Sequence, residues 1–149
     1  MPSVERTVTT HTPLPRVWDY LSDFTSTEEW DPPTQRTTRT SGDGGVGTTY
    51  HNVSSFLGSE QEVEYTVVER VEQERLVLTG DAGSVQLRDT LTFATTALED
   101  GTTGTAVTYH AEFEPQGAAK LATPVLPAAL KVLADKVASS LEERLERLS

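Results

Sequence analysis

The sequence predicts an α+β fold in which a curled, antiparallel, seven-stranded sheet wraps around a long C-terminal helix. Three observations lead to this prediction. Polar and apolar residues alternate with a period of two over most of residues 34–113, which is typical of strands with one buried face. Residues 124–148 carry apolar side chains at helical spacing instead. A shorter helical pattern follows the first strand.

The N-terminal segment predicts one strand and two short helices. Residues 3–10 alternate and are rich in threonine and valine, which favours a strand. Thr12 is expected to cap the first helix, with Pro13 at its first position. That helix is expected to end near Phe24. A second helical turn is expected over residues 26–30, because the prolines that follow Asp31 end it.

Six further strands are expected after these helices, separated by glycine-rich or acidic turns. They lie around residues 35–40, 48–56, 61–67, 76–78, 85–93 and 106–113. Such short connections imply a meander. Pairing through a turn at residues 80–83 would place Leu78 opposite Val85, and Asp89 opposite Glu74 near a strand end.

The last helix is too narrow to cover such a sheet alone. Seven strands at ~4.8 Å would be about 34 Å wide, while a helix is ~10–12 Å across. The sheet must therefore curl. The expected inner stripe contains Val125, Ala129, Val132, Leu133, Val137, Leu141, Leu145 and Leu148. The alanines of this helix, Ala128, Ala129, Ala134 and Ala138, leave room for an internal pocket, with a fully packed core as the alternative. The prolines near the start of the helix predict an irregular gate, more mobile over 117–127 than over 130–145.

Composition excludes several classes of function. The 149 residues predict one domain spanning the whole chain. There is no cysteine, and the three histidines are scattered, so neither a metal nor another cofactor is expected. A net charge of −11 argues against nucleic acid and anionic membranes as partners. With no signal-peptide pattern and no spanning segment, the prediction is a cytoplasmic protein without stable membrane insertion. The oligomeric state is left open.

Four segments carry a family resemblance. They are PLPRVWDYLSDF at 13–24, EWDP at 29–32, GVGTTY at 45–50 and GTTGTAVTY at 101–109. With the order of elements, they resemble the START-like (SRPBCC) helix-grip superfamily, and within it the bacterial polyketide cyclase/dehydrase-like proteins. The resemblance covers the whole chain and implies the helix-grip fold. It implies no particular catalytic residues.

Asp89 is the candidate for acid–base chemistry, because it falls on the apolar face of its strand between Leu87 and Leu91. In a closed pocket its pKa would rise, so that it could act as an acid or a base. The alternative is a hydrated carboxylate at the strand end. His51 depends on the register of its hairpin: either His51 and Val53 face the interior, or Tyr50 and Asn52 do.

The expected ligand-binding residues are large and apolar or aromatic. They are Trp30, Tyr65, Val67, Leu87, Leu91, Phe93, Val107, Tyr109, Phe113, Val125, Ala129 and Leu133. Trp30 either lines the pocket mouth or fastens its helical turn to the sheet. Tyr65 and Tyr109 either offer hydroxyls to a ligand or bond within the core.

Three functions follow from this pattern. The favoured one is binding of a small hydrophobic molecule, such as a lipid or a polyketide-like aromatic, because the inner face is almost free of titratable groups. The second is an enzyme of cyclase/dehydratase type, which several polar groups converging on the cavity would favour. The third is a regulatory or interaction domain with a filled core.

Overall fold

The structure, a computed structural model, describes residues 2–56, 58–117 and 126–149. Seven strands form one antiparallel sheet in the order β1-β7-β6-β5-β4-β3-β2. The strands are β1 (Ser3–Thr10), β2 (Thr34–Ser41), β3 (Thr49–Phe56), β4 (Ser59–Val71), β5 (Arg75–Asp81), β6 (Val85–Ala97) and β7 (Thr103–Pro115). The helices are α1 (Leu14–Leu21), α2 (Thr27–Trp30) and α3 (Leu126–Arg147), with a 3-10 turn at Phe24–Ser26 before α2. The predicted fold class is confirmed.

The sheet curls around α3. Val4 of β1, Ser54 of β3 and Val63 of β4 line the same cavity as Phe113 of β7 and the α3 side chains. β1 and β7 lie at one side of the sheet, and β3 and β4 lie towards the other. They can share one cavity only because the sheet bends, as the comparison of sheet and helix widths predicted.

The prediction that Thr12 caps α1 is wrong. Pro13 is the N-cap residue, and no side chain caps the helix. The buried Thr12 hydroxyl donates instead to the carbonyl of Leu145, while the Thr12 carbonyl accepts a 2.7 Å hydrogen bond from Thr105. Thr12 therefore joins the C-terminal part of α3 to β7. A buried hydroxyl needs a partner, and a carbonyl in the last turn of a helix supplies one.

The predicted β5–β6 register is wrong, and this changes the position of Asp89. β5 continues to Asp81, so Leu78 pairs with Asp89 and Gly80 pairs with Leu87. Asp89 is also opposite Ala111 of β7. It therefore lies inside the sheet, between two central strands, and not at a strand end. Gly80 belongs to the strand and not to the turn.

The β3–β4 register resolves the alternatives for His51. Tyr50 pairs with Tyr65 and His51 with Glu64. Tyr50 and Asn52 are buried, whereas the His51 side chain is 35 % exposed and lies 3.1 Å from the Glu62 carboxylate. The alternative with Tyr50 and Asn52 facing inwards is confirmed. His51 is thus excluded from the interior.

The buried stripe of α3 differs in part from the predicted one. It consists of Leu130, Ala134, Val137, Leu141 and Leu145, whose spacing of four and three keeps them on one face. Val132, expected on that face, is 58 % exposed. The predicted helix start at residue 124, the gate over 117–127 and Val125 fall largely or wholly outside the described residues.

Candidate functional site

A cavity of about 310 Å³ lies between α3 and one end of the sheet. This end contains the start of β1, the start of β4, the β5–β6 turn and the end of β7. The apolar part of its described wall is formed mainly by Val4, Val63, Leu87, Phe113, Leu133 and Val137. A volume of this size is within the range of small-molecule sites.

The expected ligand-binding residues divide into two groups. Tyr65, Leu87, Tyr109, Phe113 and Leu133 line the cavity, and so does Asp89. A second group is packed in the core away from the cavity, which corrects the expected lining: Trp30, Val67, Leu91, Phe93 and Val107. Ala129 lies in a neighbouring surface groove formed with Pro32, Pro33, Val132 and Lys136.

Trp30 fastens α2 to the sheet rather than lining the pocket mouth. Its side chain is buried, and its indole N–H donates a 3.0 Å hydrogen bond to the Ser26 hydroxyl. The indole ring meets the ring of Tyr109 edge to face, with centroids 6.0 Å apart. Trp30 therefore fixes the orientation of a tyrosine that lines the cavity.

Asp89 is a buried carboxyl on the cavity wall. It is 6 % exposed. Burial raises its pKa to about 7, and the negative charge of Asp31 adds to this, while a hydrogen bond from Tyr65 acts in the opposite direction. Near neutral pH its acid and base forms are both populated, as proton transfer requires.

Asp31 is a second cavity carboxyl that sequence reasoning missed. It follows α2, and its carboxylate accepts a 2.6 Å hydrogen bond from the Thr34 hydroxyl. Burial raises its pKa to about 6, with the Thr34 hydrogen bond lowering it. The sequence pattern indicates this aspartate only as part of a helix stop. The signal available in the sequence is its position between Trp30 and two prolines, which end the helical turn and lead the chain back to the sheet.

Two tyrosines complete the polar part of the cavity. Burial and the negative charges of Asp89 and Asp31 hold the pKa values of Tyr65 and Tyr109 well above the usual range. Both are therefore neutral hydroxyls near neutral pH. Such hydroxyls can donate a hydrogen bond to a carbonyl oxygen.

The lack of a side chain at Gly80 makes room for the Tyr65 ring. Tyr65 pairs with Gly80 across β4 and β5, and a Cβ atom on Gly80 would lie 2.8 Å from Cε1 of that ring. Since β5 has no side chain at this position, the tyrosine of β4 reaches Asp89 of β6 across it. The Phe24 ring supports Tyr65 edge to face, at 4.9 Å between centroids.

The histidines take no part in this site. His51 and His110 face acidic residues of the sheet, at 3.1 Å from Glu62 and 3.7 Å from Glu112. His11 lies at the β1–α1 connection. Within residues 2–56, 58–117 and 126–149, no three histidine or acidic side chains are grouped as metal ligands would be.

Comparison with known protein families places the whole chain in one of them. The family model described as "Polyketide cyclase / dehydrase and lipid transport" matches residues 1–148. The chain belongs to this family. A comparison with curated proteins finds no significant match.

Solved structures with a similar fold align with almost the whole chain. The Zhui aromatase/cyclase from Streptomyces sp. R1128 is 16 % identical, covers 97 % of this chain and 93 % of its own, and has a TM-score of 0.73. A START superfamily protein from Mycobacterium smegmatis is 15 % identical, covers 99 % of each chain and has a TM-score of 0.71. A protein from Thermus thermophilus is 17 % identical over 99 % of each chain, with a TM-score of 0.76.

Family membership and fold together indicate ligand binding or polyketide cyclase-type chemistry, without naming a substrate. At these identities the structural likeness supports the fold alone. Among the described helices, none has the length and apolar character needed to cross a membrane. The chemistry of this member of the family must therefore be argued from its own cavity.

Proposed function

We propose that the protein binds a small, largely apolar carbonyl compound in the cavity and transfers protons on it, in a reaction of cyclase or dehydratase type. The observation that carries this proposal is the pair of cavity carboxyls, Asp31 and Asp89, with pKa values near 6 and 7. Asp89 is buried and Asp31 is half-buried, and placing two carboxyls in a largely apolar wall is unfavourable. A site that only stored an apolar molecule would not need them.

Enol chemistry needs a base and an acid, and four polar side chains of the cavity can supply both: Asp31, Asp89, Tyr65 and Tyr109. An ionised carboxylate removes the proton from the carbon next to a carbonyl, and the C–H electrons form the enol double bond. A protonated carboxyl or a tyrosine hydroxyl stabilises the carbonyl oxygen as charge develops there. In dehydration the same acid protonates a β-hydroxyl, which leaves as water.

The test is hydrogen–deuterium exchange at the α-carbon of model ketones. The wild-type protein is incubated in D₂O near pH 7 with 2-acetonaphthone or benzoylacetone, and deuterium uptake is followed by mass spectrometry. We expect uptake above the buffer rate, and a loss of at least ~100-fold of the excess in Asp31→Asn or Asp89→Asn, in line with removal of a general acid or base.

Asp19→Asn is the matched control, because Asp19 is an exposed carboxylate of α1. This variant should exchange at the wild-type rate. If both ketones bind and wild-type protein exchanges no faster than buffer, the enzymatic proposal fails and binding alone remains.

A carrier of a hydrophobic molecule is the second candidate. The apolar wall of the cavity and the words "lipid transport" in the family description favour it. Native mass spectrometry of protein purified from its own host tests it through a co-purifying molecule. The open cavity argues against the third hypothesis, a filled core. A single domain, a cytoplasmic location and the absence of nucleic-acid partners stay predictions.

A further inference from the structure

A chain of buried hydroxyls and one amide leads from a backbone carbonyl to Asp31. Thr27 donates to the Phe24 carbonyl at 2.8 Å, and the Thr27 and Thr37 hydroxyls are 2.7 Å apart. The amide nitrogen of Asn52 donates to Thr37 at 2.8 Å and to Thr34 at 3.2 Å. The Thr34 hydroxyl then donates to Oδ2 of Asp31 at 2.6 Å.

The direction of every hydrogen bond in this chain follows from the carbonyl at its start. A hydroxyl has one proton to donate. The Thr27 proton goes to the Phe24 carbonyl, so Thr37 must donate to Thr27. The Thr37 oxygen must then accept, and only the NH₂ side of the Asn52 amide can donate to it. This also fixes which way the amide points.

The same reasoning applies to the branch that reaches the cavity. The NH₂ group of Asn52 donates to the Thr34 oxygen, so the single Thr34 proton is left for Asp31. Ser54 donates to the amide oxygen at 2.6 Å and holds the amide from its other side. The Thr34 hydroxyl therefore donates to Asp31, and the rest of the chain fixes this direction. A fixed donor of this kind favours an ionised carboxylate.

We propose that Asn52 and Thr34 are positioning residues that hold Asp31 as the ionised, proton-accepting member of the carboxyl pair and leave Asp89 as the proton donor. This rests on the proposed acid–base function of the cavity. Neither Asn52 nor Thr34 is among the residues that line the cavity. They act through the polarity of the hydrogen bonds that end on Asp31.

One contact acts against this order, because a hydrogen bond from Tyr65 lowers the pKa of Asp89. Burial and the charge of Asp31 raise that pKa and outweigh the hydrogen bond. The charge of Asp31 raises the pKa of Asp89 on β6 and so favours its protonated form. Tyr65 of β4 and Tyr109 of β7 are neutral. α3 contributes the apolar side chains of Leu133, Ala134 and Val137 to the cavity wall. The cationic Lys136 lies in the neighbouring groove with Pro32 and Pro33.

The first test needs no variant and no ligand. The carboxyl ¹³C resonances of Asp31 and Asp89 are followed by NMR against pH in the wild-type protein. Because the two groups interact, the apparent titrations are compared rather than assigned to isolated sites. We expect Asp31 to lose its proton at lower pH than Asp89. Ionisation of Asp89 first overturns the proposal.

The second test compares three substitutions of buried threonines. Thr34→Val keeps the shape and removes the donor to Asp31, so the midpoint of Asp31 should rise by about one pH unit. Thr34→Ser keeps the hydroxyl and should restore the wild-type midpoint. Thr37→Val is the matched control, because Thr37 also accepts from Asn52 but does not touch Asp31. Because Ser54 still donates to the Asn52 amide oxygen in this variant, the amide should keep its orientation and the Asp31 midpoint should stay near its wild-type value.

Two results of this comparison overturn the proposal: an unchanged Asp31 midpoint in folded Thr34→Val, or an equal rise in Thr37→Val, which would indicate loosened packing. The titrations are independent of turnover. If Asp31 titrates first and no ketone exchanges deuterium, the proposed function fails while the hydrogen-bond assignment is supported. If ketones exchange but Asp89 titrates first, only the assignment fails.

Discussion

The space between the sheet and α3 has a closed end and an open end, and the same strands run through both. At the closed end, Trp18 of α1 meets Phe93 of β6 edge to face at 5.0 Å, and Leu141 and Leu145 of α3 are buried in the same core. At the open end, Leu87 of the same β6 faces the cavity. The alternating pattern of β6 runs through both halves of the strand, yet one half is core and the other half is binding wall.

The difference comes from the elements that cover the sheet. α1 and the 3-10 turn bring Val17, Trp18, Leu21 and Phe24 to the closed end, all of them buried. At the open end the helical cover among the described residues comes from α3 alone, through Leu133, Ala134 and Val137. Asp89 is positioned on β6 between the packed Leu91 and the cavity-facing Leu87. A strand pattern therefore identifies a buried face without telling whether another side chain fills the space opposite.

Leucine truncation on β6 gives the largest expected contrast between the two ends. Leu91→Ala should lower the free energy of unfolding by about 3 kcal/mol, because the packed neighbours leave a new void. Leu87→Ala should lower it by only ~1 kcal/mol, since one side of Leu87 already faces open space. Urea unfolding of both variants measures the difference. Equal losses would mean that the open end is as tightly packed as the closed end.

Glycine substitutions test the same contrast by adding atoms. A Cβ on Gly104, near the β1–α1 connection, would lie 2.2 Å from the backbone oxygen of Thr10. The three atoms nearest to a Cβ on Gly80 would all belong to side chains, those of Tyr65 and Val63 at the cavity. We expect Gly104→Ala to cost about 3 kcal/mol and Gly80→Ala about 1 kcal/mol. Thermal unfolding measures both, and a larger loss for Gly80→Ala would contradict the assignment of the two ends.

Asp89→Asn should stabilise the protein by about 4 kcal/mol at pH 8 and change little at pH 4. The pKa of Asp89 is raised by burial from 3.8 to about 7. Between these values the folded state binds more protons than the unfolded state, so stability falls as pH rises through that window. The amide cannot ionise and removes this loss. Denaturant unfolding from pH 4 to 8 measures it, with Asp19→Asn as the control; an equal gain at every pH would exclude ionisation as the cause.

Much of the fold could be predicted because each element carries a local pattern. The alternation in β6 and β7, and the helical spacing of α3, identify those elements independently of their neighbours. Register is harder to predict. The sequence predicts the turn between β5 and β6 at Gly80, because glycine usually indicates a turn. Here Gly80 is a strand residue that makes room for the Tyr65 ring, and no local pattern distinguishes the two uses.

The candidate site could be predicted only in part, for a related reason. Asp89 could be identified because a charged residue interrupts an apolar face, and Tyr65 and Tyr109 because they share that face. Asp31 is brought to the cavity by the connection from α2 to β2, and Asn52 and Thr34 meet only through the β2–β3 pairing. These contacts join residues distant in sequence, and periodicity describes only neighbours on one element.

The smallest expected effect on stability comes from His11 at the closed end. Its dependence on salt should differ from that of Asp89 at the open end. The His11 ring nitrogens lie 2.8 Å from Asp100 and 3.0 Å from Glu146, and these hydrogen bonds raise its pKa above 6.5. Its stabilisation is complete below pH 6.5 and is lost as pH rises through the higher folded value.

His11→Gln should therefore lower the melting temperature slightly at pH 6 and not at pH 9, by far less than Leu91→Ala. Because His11 is exposed, 1 M NaCl should screen this contribution. The pH dependence that Asp89 contributes should survive the same salt, since it arises from burial. Melting curves of wild type, His11→Gln and Asp89→Asn at low and high salt measure both. If salt removes both pH dependences equally, Asp89 is hydrated and the open end is not an apolar site.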